Sequence, residues 1–200
     1  MKSNSFPTFI MFGFLLLFVS CAEISQQPKP RMFPKIIFPE YQYIGFKTSY
    51  CPFLFTYPDY WIYQKDTSFF GEKTLHECWF NFEIKSFNGT IHCTYSPIIE
   101  KEDLTKYLKD AFKMAREHQI KANYIDEIPI SKSSGVSGML YNIEGPAASP
   151  FQFYLTDSFQ HFIRGSLYFN AKTRPDSLMP ISEFVKRDLM VMLNSFEWLK

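Results

Sequence analysis

Residues 78–98, CWFNFEIKSFNGTIHCTYSPI, carry the clearest structural signal in the chain. Two runs rich in aromatic and β-branched residues flank Asn88-Gly89, the favoured pair for a two-residue type I′ hairpin turn. With that turn, the cross-strand pairs are Phe87 with Thr90, Ile84 with Cys93, and Phe82 with Tyr95. Alternation then places one apolar set on a single face, namely Cys78, Phe80, Phe82, Ile84, Ile91, Cys93 and Tyr95. The stretch therefore predicts an antiparallel hairpin with one buried face.

Further β-rich runs predict strands on both sides of this hairpin. The segments concerned are residues 53–57, 122–131, 135–145 and 149–171. The second of them contains Pro129, which cannot donate to a strand ladder, so it predicts an edge strand. The last predicts a second hairpin that turns near Asp157–Gln160.

Two segments have apolar residues at helical spacing, residues 103–118 and 177–199. Pro180 is expected in the first turn of the second helix, where a missing N–H costs nothing. Together with the strands, these helices predict an α+β fold. Its core is a mostly antiparallel sheet of about six or seven strands packed with two helices.

The N-terminal region contains an apolar run, residues 9–19, in which every residue is apolar or glycine. A membrane-spanning helix needs about 20 apolar residues, so this run matches the core of a secretory signal, with Lys2 as its positive leader. Ser20-Cys21 follows and resembles the bacterial lipobox, although Phe18 stands where Leu is usual. The Cys of a lipobox is acylated, and more than one acyl chain is needed to hold a protein stably at a membrane. The other interpretation is an ordinary signal peptide with an incidental Cys21.

This pattern divides the chain into three parts: a lipoprotein signal peptide at residues 1–20, a tether at 21–40 and a single α+β domain at 41–200. The tether starts with the lipidated Cys21 and carries four prolines, which favour an extended chain. Its last residues, IIFP at 36–39, either belong to the tether or dock onto the domain as an edge strand.

Charge is balanced, with 21 Lys+Arg against 20 Asp+Glu. A neutral chain without a basic stripe has no general electrostatic attraction for nucleic acid or anionic lipid headgroups. We therefore expect no nucleic-acid partner.

Catalytic and metal-binding motifs are missing from the sequence: it has no G-x-S-x-G, P-loop, H-E-x-x-H or glycine-rich dinucleotide turn. The histidines are His76, His92, His118 and His161. His92 and Cys93 point to opposite faces of one predicted strand, so they cannot share a metal ion. The sequence therefore predicts a protein without catalytic residues, metal ligands or cofactor.

Lipidation of Cys21 would leave Cys51, Cys78 and Cys93, an odd number in an oxidising compartment. On the predicted register Cys78 and Cys93 lie roughly 20 Å apart along the ladder, too far for a disulfide. The alternatives are therefore a disulfide from Cys51 to either Cys78 or Cys93, or three buried free thiols.

Two resemblances to known families follow from these segments. The order F-x-F-x-Y-P-x-x-W, hairpin, helix, strands and a C-terminal helix ending in SFEWL resembles the PsbP-like sandwich. The lipobox, PKPR, CPFLFTYPDY, the hairpin stretch, GPAASPFQFYLTDS and HFIRGSLYFN together are similar to GldD, the gliding motility lipoprotein family of Bacteroidetes. That resemblance implies a cell-envelope lipoprotein needed for gliding motility and the type IX secretion machinery, and it supplies no catalytic or ligand residues.

A contact surface is expected in the loop before residue 151, because it is short, small and bounded by prolines and so loses little entropy against a partner. Its candidate residues are Gly145, Pro146, Ala147, Ala148, Ser149 and Pro150. The expected partners are other gliding motility and type IX secretion envelope proteins, with the domain facing the periplasm and the anchor in the outer rather than the inner membrane. The alternative function is a periplasmic binding module for a small ligand or glycan.

One further motif, Asp176-Ser177-Leu178, resembles the short O-glycosylation motif of Bacteroidetes envelopes. The same residues are also typical of a helix cap, since Asp and Ser are favoured at that position. The sequence leaves both interpretations open.

Overall fold

A computed structural model describes residues 35–69, 72–73, 76–171 and 175–199. The predicted signal peptide and Cys21 lie outside these residues. The strands are β1 (Tyr43–Lys47), β2 (Phe53–Pro58), β3 (Ile62–Lys65), β4 (Ser68–Phe69), β5 (Glu72–Lys73), β6 (Phe80–Ile84), β7 (Gly89–Pro97), β8 (Tyr124–Ser131), β9 (Ser137–Glu144), β10 (Phe151–Thr156), β11 (His161–Phe169) and β12 (Glu197–Trp198). The helices are α1 (Lys101–Arg116) and α2 (Pro175–Ser195), and short 3₁₀ turns cover Lys85–Phe87 and Glu117–Ile120.

The strands form a seven-stranded antiparallel sheet in the order β3-β6-β7-β11-β10-β9-β8 and a three-stranded antiparallel sheet in the order β1-β2-β12. The small β4-β5 pair stands apart from both. This architecture confirms the predicted α+β class with its antiparallel sheet and two helices. β8 is an edge strand and contains Pro129, as predicted.

The main core lies between one face of the large sheet, the small sheet and α2. Its largest fully buried side chains include Trp61, Phe53, Phe80, Phe82, Phe151 and Phe196. α1 covers the opposite face, where the ring of Tyr107 lies 5.4 Å from that of Phe162. Strand alternation separates these two layers, since Phe162 faces α1 while Ile163 belongs to the main core.

The central hairpin differs from the predicted one. Residues 85–87 form a 3₁₀ turn, Asn88 is left-handed with φ 50°, and Gly89 already belongs to β7. The observed pairs are Ile84 with Gly89, Phe82 with Ile91, and Phe80 with Cys93. The type I′ turn was therefore wrong, because the longer loop lets Phe87 bury its ring 5.7 Å from that of Phe184. The register shift is an even number of residues, so the predicted apolar face is still the buried one.

Both predicted helices are present, with different boundaries. α1 begins at Lys101 behind a capping box formed by Glu100 and Asp103. α2 begins at Pro175, so Pro180 is its sixth residue and not in its first turn, contrary to the prediction. After α2 ends, β12 pairs with β2 and so packs the C-terminus onto the small sheet. No helix among the described residues is long and apolar enough to cross a bilayer.

Residues 36–41 lie against the domain without forming a strand. Ile36 packs on the main core, and the rings of Phe38 and Tyr41 stack on Phe184 at 4.6 and 5.4 Å. Aromatic stacking on α2, rather than strand pairing, holds this segment.

Candidate functional site

The predicted contact loop connects β9 to β10, and the structure divides its residues into two groups. The side chains of Ala147 and Ser149 are 7% and 0% exposed, whereas Ala148 is exposed. Gly145, Pro146 and Pro150 are half-buried. Ala147 therefore presents little surface to a partner, because it packs into the layer under α1 with Ala115, Tyr141 and Ile143.

Local contacts fix the loop in this shape. The backbone N–H of Ile143 donates to the carbonyl of Pro150 at 2.8 Å, and the Ser149 hydroxyl donates to the carbonyl of Phe151 at 3.1 Å. Gly145 has φ +113°, and a Cβ there would lie 2.8 Å from the backbone nitrogen of Asn123, so only glycine fits. The sequence predicted a small, rigid loop, but not that its middle residue would be buried.

A groove of about 240 Å³ separates this loop from the N-terminal half of α2. We call it the loop groove. Its lining residues are Asn123, Asn142, Ile143, Glu144, Gly145, Ala147, Ala148, Pro150, Phe151, Phe169, Leu178, Met179, Ser182 and Glu183. Most of these side chains are apolar, and Met179 is 61% exposed at the edge.

One polar contact orders the floor of the loop groove. The Lys186 ammonium donates to Oδ1 of Asn142 at 3.2 Å and lies 5.5 Å from the centre of the Phe151 ring. Asn142 is 5% exposed, so this bond satisfies a buried amide oxygen. The groove therefore combines a mostly apolar lining with a polar end at Asn142 and with the carboxylates of Glu144 and Glu183, which suits an inserted side chain or a small amphipathic group.

Two of the histidines considered from the sequence, and Asp157 of the second hairpin turn, have structural partners. Nδ1 of His92 lies 2.7 Å from Oδ1 of Asn81, and Nδ1 of His161 lies 2.7 Å from the Tyr95 hydroxyl. Asp157 accepts three backbone N–H groups of the β10–β11 turn at 2.9 Å. Burial acts to raise the pKa of this carboxyl, but the three bonds together outweigh burial and hold the pKa below its usual value. The described residues contain no cluster of three or more His, Cys, Asp or Glu that could hold a metal ion.

The three cysteines of the domain divide into a pair and a single thiol. Cys51 is bonded to Cys78, with Cα atoms 5.5 Å apart, and Cys93 is free and buried. Burial raises the pKa of the Cys93 thiol, so the thiol stays protonated. In the observed register Cys93 pairs with Phe80, and Cys78 precedes Phe80 by two residues. Cys78 and Cys93 are therefore offset by only about 7 Å along the ladder, and the predicted separation of roughly 20 Å was wrong.

One buried carboxylate was missed from the sequence. Asp188 of α2 is 0% exposed and accepts hydrogen bonds from the hydroxyls of Tyr43, at 2.7 Å, and Tyr60. Burial, followed by this bond, raises the pKa of Tyr43 to about 12. The signal was present in the sequence, since Asp188 follows Phe184 by four residues on the predicted buried stripe of α2.

Lys132 was also missed. Its ammonium, in the turn between β8 and β9, donates to the carbonyls of Asn194 and Phe196 at 2.9 Å and to that of Leu193. These carbonyls lie at the C-terminal end of α2, where the helix dipole favours a cation. Nothing in the local sequence links Lys132 to the carbonyls of Leu193, Asn194 and Phe196, which follow it by 61 to 64 positions. The contact therefore follows only from the tertiary fold.

Comparison with known proteins adds a family and a structural likeness. A family model described as gliding motility lipoprotein GldD matches residues 23–198. The solution structure of cyanobacterial PsbP (CyanoP) from Synechocystis sp. PCC 6803 is similar with a TM-score of 0.48 and 10% sequence identity, covering 80% of this chain and 94% of that chain. No curated protein matches the chain.

Proposed function

The chain belongs to the gliding motility lipoprotein GldD family, and we propose that it acts without catalysis, through protein–protein contacts in the gliding motility and type IX secretion machinery. The family match carries this proposal, because it covers the whole described domain. The family name gives the role in gliding motility and the lipoprotein character. The link to secretion, the mode of action and the anchoring residue are our additions.

Cys21 is the proposed anchoring residue. The matched region starts at residue 23, two positions after this Cys, as expected if the matched part follows directly on a lipidated N-terminus. We place the domain in the periplasm and the anchor in the outer membrane. Incorporation of labelled palmitate into wild type but not into Cys21→Ala, with membrane fractionation, tests the anchor and its membrane together.

The loop groove is the proposed contact site. Its volume of about 240 Å³ is smaller than the roughly 300–1,000 Å³ of typical small-molecule pockets, which favours one inserted side chain of a protein partner. Ala148 and Met179 are exposed on opposite sides of the groove, on the loop and on α2. Because the loop is already fixed by hydrogen bonds, binding there would order little additional chain.

The adjacent alanines of the loop give a matched test. Ala148→Asp puts a charge on the exposed rim of the groove. We expect a variant with wild-type abundance and wild-type unfolding free energy, but with loss of spreading and secretion. Ala147→Asp puts the same charge against the buried Ala115, and we expect it to cost about 2 kcal/mol or more of unfolding free energy. Normal spreading and secretion of the Ala148 variant at wild-type abundance would contradict the proposed site.

The polar end of the groove, where Lys186 donates to Asn142, supports one alternative function. A binding module for a small ligand or glycan would use the same groove. Mild crosslinking followed by pull-down separates the two: recovery of machinery subunits by wild type and not by Ala148→Asp supports the contact role. Recovery of none, with a thermal shift on adding envelope glycans, supports the module.

A further inference from the structure

A second exposed apolar surface lies where the described chain begins. It consists of Ile37, Phe38, Tyr41 and Pro180, and we call it the N-terminal face. The first three side chains are 80%, 39% and 51% exposed, and Pro180 is exposed as well. Phe38, Tyr41 and Pro180 line one shallow depression on the surface of α2. The face adjoins the loop groove on the same helix, and Glu183 lines both depressions.

The rings of this face are held in place rather than loose. Phe38 and Tyr41 stack on Phe184, which is 4% exposed and belongs to the main core. The Arg187 guanidinium lies 5.1 Å from the centre of the Tyr41 ring and 5.4 Å from that of Phe184. Half-exposed aromatic rings with a cation beside them are the side chains favoured at a membrane–water boundary, where an apolar body and a polar end are both accommodated.

The short segment between the proposed anchor and the domain favours the bilayer as the surface that covers this face. If Cys21 carries the anchor, only residues 22–34 separate the bilayer from Lys35, at most about 40 Å of extended chain at 3.1 Å per residue. A surface tethered at that distance meets the bilayer at high effective concentration. We propose that the N-terminal face inserts into the boundary between headgroups and acyl chains and so orients the domain on the membrane; this rests on the lipid anchor of the proposed function.

The charges around the face specify how it binds. The charged residues that line the depression are Glu183 and Arg187, which carry opposite charges. Insertion of apolar side chains, rather than attraction to anionic headgroups, therefore provides the affinity. Binding is expected to be the same on neutral and anionic vesicles and to persist in high salt.

Depth-dependent fluorescence quenching of the mature protein, purified from the cells that process it and reconstituted with phosphatidylcholine vesicles, tests the proposal. Ile37→Cys is labelled with a small environment-sensitive dye, which reaches this thiol because Cys51 and Cys78 are bonded and Cys93 is buried. Matched controls are Ile99→Cys and Ile120→Cys, at residues 82% and 90% exposed. Brominated acyl chains should quench the dye at position 37 roughly threefold more than at either control, as expected for insertion at the boundary.

Two results would overturn the inference in distinguishable ways. Protein that fails to float with the vesicles lacks the anchor, and the proposed anchoring falls together with the inference. Protein that floats but shows equal quenching at all three positions keeps its anchor, and only the membrane-seated face is wrong. A photo-crosslinker at position 37 in cells should capture lipid, whereas capture of a specific protein there would assign the face to a protein partner instead.

Discussion

The two faces of the seven-stranded sheet differ in what holds them. The face toward α2 and the small sheet buries a continuous stack of aromatic rings, and a disulfide and a buried carboxylate lie on the same side. The face toward α1 buries a small cluster, Ala115, Tyr141, Ile143 and Ala147. The difference indicates that the first face supplies most of the stability, since stabilisation scales with the apolar area removed from water.

The composition of α1 explains the weaker layer. Its fully buried residues are Ala111 and Ala115, whereas Phe112 and Met114 are 44% and 42% exposed. The sheet beneath is partly polar: the Arg164 guanidinium, half-buried there, donates to Oε1 of Gln152 at 2.7 Å. Burial lowers the pKa of Arg164, a sign that its charge is held at some cost. α1 is therefore the element we expect to loosen first.

Truncating one phenylalanine on each face should give the largest losses of unfolding free energy. Phe82 and Phe162 are 0% and 4% exposed, so they are matched in burial. Phe82 is enclosed by buried rings of the main core, and Phe82→Ala should cost about 4 kcal/mol of unfolding free energy. Phe162→Ala should cost about 3 kcal/mol or less, because the half-buried rings of Tyr107 and Tyr154 can close over the space.

Urea unfolding of both variants, with the wild type beside them, measures this difference. Unchanged m-values would show that the denatured state is the same and that the midpoints report stability. A loss at Phe162 equal to or greater than the loss at Phe82 would contradict the proposed division of stability between the faces.

The aspartates of the two helices give the next effect. Asp188→Ala removes the buried acceptor for the Tyr43 and Tyr60 hydroxyls, and we expect a loss of about 2–4 kcal/mol. Asp103→Ala removes the partly exposed carboxylate of the α1 capping box, which accepts the N–H groups of Ile99 and Glu100, and should cost less. Chemical denaturation of both variants measures the two losses of unfolding free energy, with Asp188→Asn, which keeps an acceptor, as the control. A loss for Asp188→Ala no greater than that for Asp103→Ala would show that the buried carboxylate is not important.

The comparison also shows what the sequence could predict. Period-two and helical patterns gave strands β2 and β6 to β11, the two helices and the buried stripe of α2, because burial of one face of each element dictates those patterns. Strands β1, β3 and β12 were not predicted. The apolar face of the central hairpin was right even with the wrong register, since alternation is insensitive to an even shift. The family resemblance, read from segment order, was confirmed by the family model.

Features that depend on contacts between distant segments could not be predicted. The length of the central turn depends on Phe87 reaching Phe184, nearly a hundred positions later. Likewise, Ala147 is buried because α1 places Ala115 against it, so the candidate loop is only partly a surface. Local sequence patterns carry no signal for such pairings, whereas a charged residue on an apolar stripe, as at Asp188, is a signal that can be recognised.

Acidification should give the smallest effect. Burial lowers the pKa of all four histidines, including His76 and His161 beside Tyr95 of the main core. His118, next to α1, has its pKa lowered from 6.5 mainly by burial and also by Arg164, with Glu117 opposing; burial likewise lowers the pKa of His92, with Asp66 opposing. The unfolded chain therefore binds protons more strongly, so the free energy of unfolding falls as the pH drops through 6.5. The melting temperature should decrease between about pH 7.5 and about pH 5.5, and His118→Gln should decrease less. Asp103 and Asp157, whose pKa values are lowered from 3.8, lose their contribution to stability only as the pH falls below about 3.8. These carboxylates therefore do not titrate between about pH 7.5 and about pH 5.5. An identical pH dependence of wild type and variant would show that His118 is not buried by α1 in solution.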